Sequence, residues 1–248
     1  MPTILLETFR PLSTPAWEFL LHKKYFEALH SQSDYIALLT VRYRVVKIKL
    51  SVQKIFDHLV DSYLEHNTGL TDYFLDKDLS NHLTDNLLLL YSSQELVPAS
   101  IGQKKSLRTD GLLRSDKIFW LDRSHQDIHE NTFFDVVDEF VAFLNRSCFT
   151  GITRYEFHYA LYEKGNFYRR HLDQFKEDKG RAFSMIIYLN DEWKEEDGGG
   201  LVIYHDTHEQ HILPDKQKCV FFKSSELEHE VLITHRPRMS ITGWLRTD

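Results

Sequence analysis

The second half of the chain most constrains the fold. After Gly151 eight short stretches of strand character follow one another: Ile152–Tyr162, Phe167–Asp173, Phe183–Leu189, Leu201–Tyr204, His211–Leu213, Cys219–Phe222, Glu230–Thr234 and Met239–Leu245. Turn-forming segments separate them, among them Glu163–Asn166, Asn190–Gly200, Pro214–Lys218 and Arg236–Pro237. Short strands at regular spacing with turn signals between them predict a sandwich or barrel. Eight of them fit a double-sheet jelly roll, the architecture of cupins.

The first half supplies helices. Val52, Ile55, Phe56, Leu59, Val60 and Tyr63 recur at three- and four-residue steps, with Ser51 as a cap and Asn67–Gly69 as a stop. Thr71–Leu75 predicts a short strand, Asp78–Tyr91 a second helix and Lys117–Leu121 another strand. A third helix follows Ser124–Glu130 through Phe133, Phe134, Val137, Phe140, Val141 and Leu144. Between Ser92 and Ser115 lies a long polar loop, the kind of segment that often serves as a lid or binding loop. Residues 1–50 are less regular: an amphipathic helix around Trp17–Leu29, then the alternating stretch VRYRVVKIKL, whose basic residues read as the wet face of a strand. The expected class is α+β with a mainly β core: a double-stranded β-helix over about residues 151–246, with N-terminal helices packed on its sheet. Residues 51–248 form one domain in this reading, and 1–50 an extension of unknown role.

Composition narrows the function classes. A net charge of −7 gives no bulk attraction to nucleic acid or to an anionic membrane. No apolar run has the length that crosses a bilayer. MPTILLETFR lacks a basic region followed by an apolar core, so no signal peptide is expected. Cys148 and Cys219 are too few for a disulfide framework, and a reducing cytoplasm is the simpler setting.

The chemistry-bearing residues lie on the strands. His171 and Asp173 are two apart, and in an extended strand alternate side chains share a face. With His229 they offer two imidazoles and one carboxylate, the ligand set of non-haem Fe(II) oxygenases. Arg238, on the next predicted strand, suits a bidentate grip on a carboxylate. Tyr188 can donate its hydroxyl to the same carboxylate, and Thr242 shares strand parity with Arg238. A competing constellation exists: His125 and Asp127 repeat the spacing, and His171 with Arg181 imitates the second half. Asp127 stands just before a helical apolar run with Glu130 behind it, which gives it a capping role instead. His205, His208 and His211 are also spaced for a metal, but they fall in a predicted turn and read as solvated.

These pieces resemble the Fe(II)/2-oxoglutarate-dependent dioxygenases, and within them the prolyl hydroxylase group, including the enzymes that act on hypoxia-inducible factor and their bacterial relatives. RSDKIFWLD at 114–122, YEKGNFYRRHLD at 162–173, IIYLN with Trp193 and the glycine-rich turn Asp197–Gly200, and HEVLITHRPRMSITGW at 229–244 carry the resemblance, in matching order, over about residues 70–246. It implies that His171, Asp173 and His229 hold Fe(II). It also implies that Arg238 binds the distal carboxylate of 2-oxoglutarate, helped by Tyr188 and Thr242. Tyr162 is implied to flank cofactor and substrate, Trp244 to wall the site near His229, and Tyr168 to shape substrate entry. The shorter turn between Tyr162 and His171 is a departure from the group's pattern.

The expected function is hydroxylation of a peptidyl residue, proline first, with dioxygen and 2-oxoglutarate as cosubstrates, succinate and CO₂ released, and ascorbate as reductant. The partners expected are a protein or peptide substrate, with no nucleic acid and no membrane; the sequence says nothing of oligomeric state. A hydroxylase of a small molecule or free amino acid is the alternative within the class. A non-catalytic metal-binding jelly-roll module is the alternative outside it, and the complete ligand set with Arg238 argues against that.

Overall fold

The computed structural model describes residues 51–99, 113–174 and 179–248. The expectations for residues 1–50, for most of the 92–115 loop and for part of the 174–180 turn lie outside the described residues. From Gln53 to Asp248 the chain forms one compact unit.

Among the described residues, three helices and two sheets make up the unit. The first helix, α1 over 51–66, buries Phe56, Leu59 and Val60. It ends where Asn67 turns to φ 58° and its N–H donates to the Tyr63 carbonyl. Helix α2 (Lys77–Ser92) starts where the Asp76 carboxylate accepts from Leu79 N–H at 2.8 Å, and it buries Leu79, Leu83 and Leu87. Helix α3 (Ile128–Cys148) buries Phe133, Phe134, Val137, Phe140, Phe143 and Leu144. In each helix the buried side chains recur at three- or four-residue steps, the stripe that an amphipathic helix lays on a sheet.

The strands are β1 (Gly69–Thr71), β2 (Val97–Pro98), β3 (Lys117–Trp120), β4 (Arg154–Tyr162), β5 (Tyr168–His171), β6 (Arg181–Tyr188), β7 (Leu201–Tyr204), β8 (Glu209–Ile212), β9 (Cys219–Lys223), β10 (Glu228–Val231) and β11 (Arg238–Arg246). The larger sheet has the order β1-β9-β6-β11-β4-β3-β2 and the smaller β5-β10-β7-β8. All eight strands expected after Gly151 are present. The strand expected at Thr71–Leu75 is not: β1 ends at Thr71, and its short pairing with β9 runs from Gly69 instead.

The larger sheet is covered on both faces. On one, Phe140 packs edge-on to Phe221 and Phe133 to Phe157, joining α3 to β9 and β4. On the other, Ala160, Ile186, Tyr188, Val220 and Phe222 meet Leu201, Ile203 and Val231 of the smaller sheet. This antiparallel two-layer core is the double-stranded β-helix. Gly243 in β11 is fixed by close approach, since a Cβ there would stand 2.2 Å from the Phe157 ring. Arg238, Ser240 and Thr242 on β11 therefore face the smaller sheet with Ala160, Tyr162, Ile186 and Tyr188 across from them. That inner face is the floor of the site.

Candidate metal centre

Strands β5 and β10 bring the first ligands together. They pair antiparallel with His171 opposite His229, and the two rings lie 4.3 Å apart. Asp173 arrives differently from the expectation. Strand β5 ends at His171, and Asp173 sits in the bend beyond it, so strand alternation is not what aims its carboxylate. The chain is held there by Arg181, which donates to the Asp173 carbonyl at 3.2 Å, and by Gln174 N–H donating to the Ser224 carbonyl. One nitrogen or oxygen from each of His171, Asp173 and His229 lies within 4.8 Å of the others, the single such group among the described residues.

The tautomers follow from the neighbours. His171 Nδ1 lies 2.8 Å from the Arg169 carbonyl, and His229 Nδ1 lies 3.2 Å from the Leu227 carbonyl. A carbonyl only accepts, so each Nδ1 carries a proton and Nε2 is the nitrogen left for the site. Both Nε2 atoms face the carboxylate of Asp173, at 3.4 Å from His171 and 3.5 Å from His229. Two ring nitrogens converging on one buried carboxylate make a cradle for a cation. Ser184 donates to the second Asp173 oxygen, Oδ2, at 2.6 Å, and Ser224 stands 2.9 Å behind Ser184. Burial alone raises the Asp173 carboxyl; His229, His171 and Ser184 together hold it well below the usual carboxylate range. Burial, opposed by Asp173, pushes His229 down to about 4, so it is a neutral imidazole near pH 7. A charged carboxylate and two imidazoles with backbone-anchored rings are the donor set of a divalent transition metal with open positions. The residues fit Fe(II).

Arg238 forms the second half of the site. It is 1% exposed, yet no carboxylate pairs with it among the described residues. Its Nε donates to the Gly199 carbonyl at 2.8 Å, while Nη2 has no hydrogen-bond partner among the described residues. The Tyr188 hydroxyl, on a fully buried side chain of the neighbouring strand, has none among them either. Burial raises the Tyr188 phenol to about 12 against the pull of Arg238, so it stays a donor. A buried guanidinium without an anion is costly by several kcal/mol, and a guanidinium beside a free phenol is a ready receptor for one carboxylate. The donor set fits the distal end of 2-oxoglutarate. The glycine-rich turn has a specific task here: Gly198 and Gly199, both at φ 64°, turn the chain so that the Gly199 carbonyl reaches Arg238.

The remaining expected residues gather in the same recess. Tyr162 lies under Arg238, whose guanidinium carbon is 4.9 Å from the ring. Thr242 lines the floor next to Ser240, with its hydroxyl 3.3 Å away. Trp244 walls one side with Arg181 stacked on it at 3.4 Å. Tyr168 stacks on His171 at 3.6 Å and itself carries Arg114 at 4.3 Å. Arg114 is in turn clamped by Asp116 through two bonds of 2.8 and 2.7 Å.

The competing constellation does not assemble. His125 pairs with Glu130 at 2.9 Å, and Asp127 accepts from His129 and Glu130 N–H at the start of α3. His205 stacks on His208 at 4.5 Å and contacts Gln210, without gathering a third ligand. Sequence reading missed Ser184, His158 and the Gly199 carbonyl. For Ser184 a signal existed: it shares strand parity with Ile186 and Tyr188, and a serine in such a row asks for a buried partner.

A two-sheet antiparallel core carrying a two-histidine, one-carboxylate centre and a buried carboxylate receptor defines an iron oxygenase that depends on an oxoacid. Comparison with known proteins agrees. The model of the 2OG-Fe(II) oxygenase superfamily matches residues 157–246. A solved prolyl-4-hydroxylase from Pseudomonas putida is 33% identical with a TM-score of 0.71, over 78% of this chain and 100% of that one. A Trichoplax adhaerens prolyl hydroxylase, solved with a hypoxia inducible factor peptide fragment, shares the fold at 23% identity and a TM-score of 0.72, over 80% of this chain and 91% of that one. Human Egl nine homolog 1 is 25% identical over 200 residues, which are 76% of this chain and 46% of that protein. The chain spans about half the length of the Egl nine homolog 1 proteins it matches. It belongs to the 2OG-Fe(II) oxygenase superfamily and, within that, to the prolyl hydroxylase group.

Proposed function

We propose that this dioxygenase hydroxylates a prolyl residue of a protein or peptide. In this reading His171, Asp173 and His229 hold Fe(II), and Arg238 with Tyr188 takes the distal carboxylate of 2-oxoglutarate. Tyr162 flanks the cosubstrate, Thr242 lines the floor beyond it, and Trp244 and Tyr168 wall the substrate side. Bound together, iron and 2-oxoglutarate supply the oxidising chemistry: one atom of dioxygen ends in succinate as CO₂ leaves, and the other in the product hydroxyl. The protein contributes orientation and dryness. Arg238 fixes the diacid by one end, Ser184 and the two backbone carbonyls fix the ligand side chains, and the indole of Trp244 keeps water from the reacting face.

The observation that carries this reading is the buried, unpartnered Nη2 of Arg238 on the same floor as the triad. The likeness to the Pseudomonas putida prolyl-4-hydroxylase, over 78% of this chain, supports proline as the target. We place the reaction in a reducing cytoplasm with ascorbate as reductant, a setting that suits the two free thiols Cys148 and Cys219. The test is anaerobic loading with Fe(II) and 2-oxoglutarate, followed by air and a random peptide pool with a central proline. Succinate release matched by the gain of one oxygen atom on proline is expected. Turnover on free amino acids with none on any peptide would replace this reading with the small-molecule one.

A further inference from the structure

One buried polar side chain on the floor has no task in the reading so far. His158 lies on β4, opposite Trp120 of β3 on one side and Thr242 of β11 on the other. Thr242 is followed across the sheet by Ile186 of β6. His158 therefore sits in a row of the inner face, and it lines the same recess as His171 and Asp173. It is 2% exposed, and its Nδ1 has no hydrogen-bond partner. Two indoles flank the ring: Trp120 at 5.0 Å and Trp244 at 5.5 Å.

Packing alone does not account for a histidine here. A phenylalanine would stack between the tryptophans equally well, without leaving a buried ring nitrogen unpaired. Nor does the cosubstrate account for it. Along β11, Thr242 is four residues from Arg238, about 13 Å at the usual strand rise. A five-carbon diacid spans about 5 Å between its terminal carbons at ordinary bond lengths. Anchored on Arg238 and directed to the metal ligands, it runs across the recess rather than along β11 to the His158 row. Trp120, next to His158 in that row, is 45% exposed, so this end of the recess borders solvent, the side from which a substrate arrives.

We propose that His158 is a specificity-determining residue, whose imidazole hydrogen-bonds a backbone carbonyl of the substrate next to the target prolyl residue. This rests on the peptidyl reading above. A prolyl residue has no N–H of its own, so its neighbourhood on the chain is rich in acceptors, and a ring N–H is the complement. Burial, reinforced by Arg114, pushes the His158 imidazole down to about 3. The ring is then neutral, with one N–H to give and no charge to strip of water when substrate arrives.

The test uses the best peptide that the wild-type protein selects from the random central-proline pool. His158→Phe keeps the stacking and is expected to raise the KM for that peptide about ten-fold, the weight of one neutral hydrogen bond. His158→Asn or His158→Gln, which keep a donor, should recover part of that loss. Iron and 2-oxoglutarate affinities, read anaerobically from the metal-to-oxoacid absorption, should stay at the wild-type value in all three. An unchanged peptide KM in His158→Phe overturns the assignment and leaves a packing role. A matching rise in the 2-oxoglutarate dissociation constant overturns it in favour of a cosubstrate contact. If the wild type selects no peptide at all, the peptidyl reading itself falls, and this proposal with it.

Discussion

His125-Gln126-Asp127 and His171-Leu172-Asp173 have the same spacing, and the fold gives them opposite fates. At the first, Gln126 takes φ 58° and ends a short 3-10 turn, so the aspartate is delivered to the N-terminus of α3. Its histidine turns to Glu130 on that same helix, and every partner is within five residues. At the second, the partners that complete the centre are distant in sequence: Ser184 on β6, Ser224 beyond β9, His229 on β10. The local pair satisfies itself and serves stability. The long-range pair is left with its ligand atoms converging on one point, and that unmet demand is what makes a metal centre.

Substitutions can break this contrast, and the largest effect belongs to Asp173→Ala. It should abolish Fe(II) binding in an anaerobic titration, because two imidazoles remain with no negative charge to hold the cation. Next comes Arg238→Ala: loss of a charge-assisted grip should weaken 2-oxoglutarate by about a hundred-fold while iron still binds. Calorimetric titration of the iron-loaded protein reads both numbers. If oxoglutarate affinity held, the carboxylate receptor would have to be sought elsewhere on the floor. Ser184→Ala sharpens the contrast, since it removes the long-range orienting bond and leaves the ligands. Iron affinity should fall about ten-fold, as for other residues that orient a ligand, with recovery in Ser184→Thr. The smallest effect falls on the look-alike. Asp127→Ala should cost about 1 kcal/mol of stability for the lost cap, by chemical denaturation, and leave the iron isotherm where it was. A drop in iron affinity there would erase the distinction.

Much of this was legible before any coordinates. Helix faces such as Leu79, Leu83 and Leu87 show in the spacing, and every strand after Gly151 is bracketed by turn residues. Strand β4 was legible only as a strand. It is buried on both faces over its second half, so apolar residues fill both parities and nothing in the pattern says that Tyr162 and His158 face the site while Tyr159 faces the helices. The His171–His229 pairing was legible as a ligand set but not as a register. Register depends on how β5 and β10 meet across a bulge, and one-residue slips change which side chains converge. Least legible was the hold on Arg238. It comes from a main-chain carbonyl, and a carbonyl has no letter in the sequence; only the glycines that expose it do.

That hold carries a consequence for the lifetime of the protein. Arg238 is buried and held by the Gly199 carbonyl, with no anion among the described residues to offset it. The folded state therefore carries an electrical debt that its own cosubstrate discharges. A ligand that binds only the folded form raises stability by about 2.7 kcal/mol when present at a hundred times its dissociation constant. The melting temperature of this oxygenase should thus rise with 2-oxoglutarate even where no substrate is turned over, and a cell poor in that metabolite would hold a more perishable enzyme.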